Sequence, residues 1–60
     1  MAVTFQEQLL AFIKSYPEGV KLVDIERALG VARIRVANGG WRLIEEGKIK
    51  KEGLLYIPIT

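Results

Sequence analysis

The sixty residues carry a net charge of +2 and include neither cysteine nor histidine. That excludes disulfides, thiolate metal sites and the commonest general base, so no metal or cofactor is expected. Half of the residues are hydrophobic and 27% are charged, which fits one small globular domain over residues 1–60 and not a disordered tail.

A chain of this length buries only ~60% of the surface its unfolded form exposes, so its stability should be modest. The apolar runs are too short to span a membrane, and the N-terminus lacks the basic-then-apolar pattern of a signal peptide. A cytoplasmic protein is therefore expected.

In chain order, Thr4-Phe5-Gln6-Glu7 fits a capping box, in which the Thr hydroxyl and the Glu carboxylate each satisfy a free backbone amide. Phe5, Leu9, Phe12, Ile13 and Tyr16 then recur at helical spacing and predict one buried face. Pro17 stops the helix and Gly19 completes a turn. Val20 and Lys21 could form a very short strand. A second helix is predicted over Leu22–Leu29, with Leu22, Ile25, Ala28 and Leu29 inward and Gly30 in a left-handed conformation at its end.

Residues 33–44 admit two readings, a β-hairpin or part of a helix predicted over residues 33–46. Gly47 is a natural stop for a helix that starts after the Gly30 turn. Against this, Asn38-Gly39 is a strong hairpin signal, Arg33–Val36 and Trp41–Leu43 alternate polar with apolar, and two interior glycines cost a helix roughly 1 kcal/mol each. The rival fold is thus two helices plus a small antiparallel sheet. As a helix, the segment would turn Val36, Gly40, Leu43 and Gly47 to the core, with Gly40 making room for a bulky neighbour such as Trp41. The last segment, Lys48–Ile59, reads as a two-stranded ribbon turning at Glu52-Gly53, with Ile49 and either Leu55 or Tyr56 inward and Pro58 on an edge strand.

The order and spacing resemble the winged helix-turn-helix family over essentially the whole chain. Ile25, Leu29, Gly30 and Val31 match its apolar-to-Leu-Gly-Val turn, and Leu43, Gly47 and Ile49 match its Leu-x-x-x-Gly-x-Ile entry into the wing. Three departures stand out. Lys21 and Ala32 occupy positions where Ser or Thr is usual, and Gly40 stands where a buried Leu is usual. The resemblance implies an α+β fold of three helices and a small C-terminal antiparallel β-hairpin. It also implies double-stranded DNA as partner, with the third helix in the major groove and the wing along the backbone.

The charge distribution agrees with that implication. Residues 1–32 hold Lys14, Lys21 and Arg27 against Glu7, Glu18, Asp24 and Glu26, a net of −1, whereas residues 33–60 hold a net of +3. On the third helix Arg35, Asn38 and Arg42 share one side and are the candidate base readers, with Arg33 beside them. Lys48, Lys50 and Lys51 are candidate phosphate contacts on the wing, and lysines there also guard a strand edge. Ile34, Ala37, Trp41 and Ile44 fall on a third side. Either the first helix covers this strip, or Ile34, Trp41 and Ile44 form an interface for a homodimer or protein partner.

Catalysis finds no footing. Ser15 is the only serine and has no base of the usual kind, the adjacent Glu45 and Glu46 diverge on a helix, and no phosphate-binding glycine motif is present. The expected function is DNA binding, as a transcriptional regulator or an accessory DNA-binding protein. The alternative is a winged helix used for protein–protein assembly.

Overall fold

Thr4 starts the first helix as its sequence predicts. The Glu7 amide donates to Thr4 Oγ1 at 3.1 Å and the Thr4 amide donates to Glu7 Oε1 at 3.2 Å, closing the capping box. A computed structural model describes residues 3–59. In it α1 spans Phe5–Lys14, β1 Val20–Lys21, α2 Leu22–Leu29, α3 Arg33–Glu45, β2 Ile49–Glu52 and β3 Leu55–Pro58. The strands form one antiparallel sheet in the order β1-β3-β2. The α+β architecture of three helices and a wing is as expected, and β1 enlarges the C-terminal hairpin to three strands.

Residues 33–45 are helical, and the hairpin alternative is overturned. A turn at Asn38-Gly39 would place glycine in the left-handed region, yet the glycines with positive φ are Gly19, Gly30, Gly47 and Gly53. Gly39 and Gly40 are instead buried inside α3, on the stripe they share with Val36 and Leu43. The absence of side chains there lets two neighbours approach. A Cβ on Gly39 would lie 2.9 Å from Leu9 Cδ2 and 3.0 Å from Phe5 Cε2, both on α1. A Cβ on Gly40 would lie 2.9 Å from Cε1 of the Tyr56 ring. Close packing thus offsets the poor helix propensity of the pair. The bulky residue accommodated at Gly40 is Tyr56, and Trp41 points to solvent.

Gly47 ends α3 with a left-handed φ of 74°. Its amide donates to the Ile44 carbonyl and the Lys48 amide reaches back to the Leu43 carbonyl, both at 3.0 Å, which is the Schellman pattern. Gly47 is therefore exposed and not part of the docking face. Across the wing Glu52 pairs with Leu55, so the hairpin loop is Gly53-Leu54, with the positive φ carried by Gly53 as a type II′ turn requires.

The core joins Leu9, Ile13, Val20, Ile25, Val36, Leu43, Ile49 and Tyr56 from all six elements. Three expected core or edge assignments differ. Tyr16 is exposed because α1 ends at Lys14; its ring rests on Phe12, with centroids 5.1 Å apart. Ala28 is exposed because α2 leans on Leu22, Ile25 and Leu29. Pro58 lies on the central strand, but at its end. There it faces Ile49 of β2 and lies beyond the Val20 and Lys21 pairings, so no ladder bond is lost on the β1 side.

Candidate nucleic-acid interface

The buried stripe of α3 fixes what its other side presents. At about 100° per residue, the crest opposite that stripe falls on Ile34, Asn38, Trp41 and Glu45, all exposed. Ile34 is 68% exposed and Trp41 61%, two helical turns apart on one crest. Ile44 and Ala37 are half-buried, and Ile44 packs on the core. The expected apolar strip therefore splits. Ile34 and Trp41 remain in water, α1 does not cover them, and Ile44 belongs to the interior.

Cations flank the crest on both sides. On the α1 side, Arg35, Asn38 and Arg42 line a groove of about 220 Å³ whose other walls are Phe5, Gln6 and Gly39. The Arg35 guanidinium carbon lies 4.4 Å from the centroid of the Phe5 ring, a cation–π contact that ties it to α1. Gln6 Nε2 donates to the Gly39 carbonyl at 3.2 Å and fixes the groove floor.

On the wing side, Arg33, Lys21 and Lys51 surround a larger hollow of about 310 Å³, lined also by Leu22, Val23, Leu54 and Tyr56. Lys51 Nζ sits 5.5 Å from the centroid of the Tyr56 ring. Burial pushes the Tyr56 phenol above its ordinary pKa.

The cations differ in how free they are. Arg33 reaches Glu26 on α2 at 3.6 Å, Lys48 reaches Glu46 at 3.4 Å, and Lys50 reaches Glu52 at 3.0 Å. Among the described residues, Arg35, Arg42 and Lys51 have no carboxylate within salt-bridge distance. Phe5, Gln6, Lys21 and Leu54 were not read from the sequence as members of this surface. Their places depend on contacts between distant segments, and no local motif announces them.

This arrangement, a helix-turn-helix whose third helix stands beside a β-wing, is the winged-helix fold. The Zalpha domain of the Cyprinid Herpesvirus3 ORF112 protein, solved for its binding mode to Z-DNA, shares it with a TM-score of 0.82. The match covers 97% of this chain and 100% of that one at 22% sequence identity. No family model and no curated protein matches the sequence. Among the described residues no group of acidic side chains is placed to hold a metal ion, and no helix is long and apolar enough to cross a membrane.

Proposed function

We propose that this domain binds double-stranded DNA by laying the crest of α3 and the basic wing on the duplex. The observation that carries the reading is the crest itself. Ile34 and Trp41 stand in water along it, two turns apart, with cations from α3 and the wing on both flanks. Cations in such rows neutralise phosphates, and an exposed aromatic offers a flat face to a base or sugar.

A left-handed duplex suits this crest better than a right-handed one. Reading the major groove of B-DNA calls for several donors and acceptors at the helix apex, whereas here Asn38 supplies one amide and Ile34 and Trp41 beside it offer shape and apolar surface. A Z-form duplex presents its guanine edges on a convex exterior, which a flat apolar crest can meet. The likeness to a domain solved on Z-DNA supports the same direction. The role we infer is binding without catalysis, in the cytoplasm, serving transcription control or as an accessory to another DNA transaction.

The test is a titration of labelled protein with a mixed-sequence duplex and an alternating CG duplex at two salt concentrations. Salt-sensitive binding is expected for both. The alternating duplex should also invert its circular dichroism as protein is added. Saturation without inversion would return the reading to a right-handed duplex, and no binding at low salt would remove DNA altogether.

Exposure of Trp41 beside Ile34 also favours a second reading, a homodimer or protein partner held by that pair. Sedimentation at high protein concentration separates the two, since a strict monomer argues against self-association.

A further inference from the structure

The groove on the α1 side of α3 has a chemistry different from the crest and the wing. Its elements are a guanidinium plane, two side-chain amides and a second guanidinium, in a space of about 220 Å³. The Arg35 guanidinium carbon lies 4.4 Å from the Phe5 ring centroid, and the residue is exposed, so the group is held by the ring and still reachable from solvent. Asn38 follows one turn along α3 and Arg42 one turn further. Gln6 gives one of its two amide N–H donors to the Gly39 carbonyl, which leaves the second N–H and the side-chain oxygen for other partners. Gly39 keeps these parts in place. A side chain there would press on Gln6, Leu9 and Phe5 and push α1 away from the groove wall.

We propose that this groove holds a single unpaired nucleotide next to the bound duplex. The exposed Arg35 guanidinium stacks on the base, and guanidinium planes serve as such platforms as aromatic rings do. Asn38 and the Gln6 oxygen meet the base edge, since an amide supplies both a donor and an acceptor. Arg42, about 10 Å from Arg35 along the helix axis, takes a neighbouring phosphate. The unpaired nucleotide can come from a single-stranded overhang or from a bulge within a duplex. This inference rests on the DNA reading above.

The experiment compares a blunt duplex, the same duplex with a three-nucleotide overhang, a bulged duplex and the free single strand, by fluorescence anisotropy. The overhang is expected to bind about fivefold tighter than the blunt duplex, the gain of one modest stacking contact. If the bulge matches it, an internal unpaired base is also accepted; if only the overhang gains, the source is a strand end. Arg35→Lys keeps the charge and loses the plane, so the ratio of overhang to blunt affinity should fall to about one. Asn38→Ala, a second exposed substitution, should lower the ratio as well. On adding the overhang, NMR shifts should appear at the Gln6 side-chain amide and the Phe5 ring beyond those the blunt duplex causes.

Equal affinity for blunt, overhang and bulged duplexes would overturn the groove while leaving duplex binding intact. So would an overhang gain that survives Arg35→Lys. Binding of the single strand without the duplex, lost in Arg35→Lys, would sink the duplex reading and keep the groove. No binding to any of the four would overturn both.

Discussion

Gly40 and Tyr56 are a complementary pair: the missing side chain on α3 is the space that the ring on β3 fills. A Cβ at Gly40 would lie 2.9 Å from ring carbon Cε1, and 3.5 Å from two more ring carbons. The ring cannot swing away, because Tyr56 is only 4% exposed and paired with both Val20 and Lys51 across the sheet. Gly40→Ala should therefore destabilise the domain despite the better propensity of alanine. The helix gains about 1 kcal/mol, and overpacking costs about 1–3 kcal/mol, so the net change should be a loss. Urea unfolding of Gly40→Ala, Tyr56→Leu and the double variant tests the pairing. The double variant should be more stable than the two single losses combined would predict. A raised urea midpoint in Gly40→Ala alone would refute the account.

The same pair shows where the sequence was legible and where it was not. Thr4 and Glu7 lie within one turn and declare a helix start. Gly30 and Gly47 declare two helix stops, because each signal is local. The partner of Gly40 is sixteen residues away on another element, and Gln6 meets Gly39 across a separation of 33 residues. Read locally, Asn38-Gly39-Gly40 weakens a helix and favours a hairpin; only the packing of α1 and β3 reverses that. The site divided in the same way. The types of the candidate residues were visible, but their grouping was not. Arg35 and Arg42 share a groove with Phe5, Arg33 and Lys51 share a hollow with Tyr56, and Trp41 stands between the two groups.

Removing the Thr4 cap should weaken the fold without touching the crest. Thr4→Ala deletes the acceptor of the Glu7 amide and the hydroxyl that donates to Glu7 Oε1 at 3.0 Å. The expected loss is about 1 kcal/mol in thermal or urea unfolding. Thr4→Ser should keep most of it. A Thr4→Ala protein as stable as the parent would mean that the packing of Phe5 and Leu9 alone sets the start of α1.

Alkaline pH should destabilise the domain through Tyr56. Burial raises its phenol above the ordinary value of 10.0, so the native state holds this proton more tightly than the unfolded state does. The unfolded chain binds fewer protons in that range, and stability falls as pH rises. The contribution is fully present below about pH 10 and is lost as pH climbs through the raised pKa. The urea midpoint should hold up to about pH 10 and drop above it, and Tyr56→Phe should drop less. Equal losses in both proteins would assign the alkaline effect to other groups.

Trp41→Ala should separate binding from folding. The side chain is 61% exposed, so the change in unfolding free energy should stay within about 0.5 kcal/mol. Affinity for duplex DNA should fall by about 1–3 kcal/mol if the ring contacts a base. Unchanged DNA affinity, together with a concentration-dependent dimer that the substitution dissolves, would favour the assembly reading.

The wing lysines should divide by their partners. Lys51 has no carboxylate within reach among the described residues, whereas Lys50 lies 3.0 Å from Glu52 on the same strand. A phosphate contact by Lys51 releases a counterion, so Lys51→Ala should flatten the plot of log affinity against log salt by about one unit of slope. Lys50 must leave Glu52 or carry it along, and that local carboxylate already neutralises part of its charge. Its substitution by alanine should change the slope less. Glu52→Gln provides the control, since it frees Lys50 and should steepen the slope while raising affinity for every duplex sequence alike. If Lys50→Ala and Lys51→Ala flatten the slope equally, the ion pair seen at 3.0 Å does not govern how the wing meets a backbone. If neither changes it, the wing lies off the phosphates and the duplex is held by α3 alone.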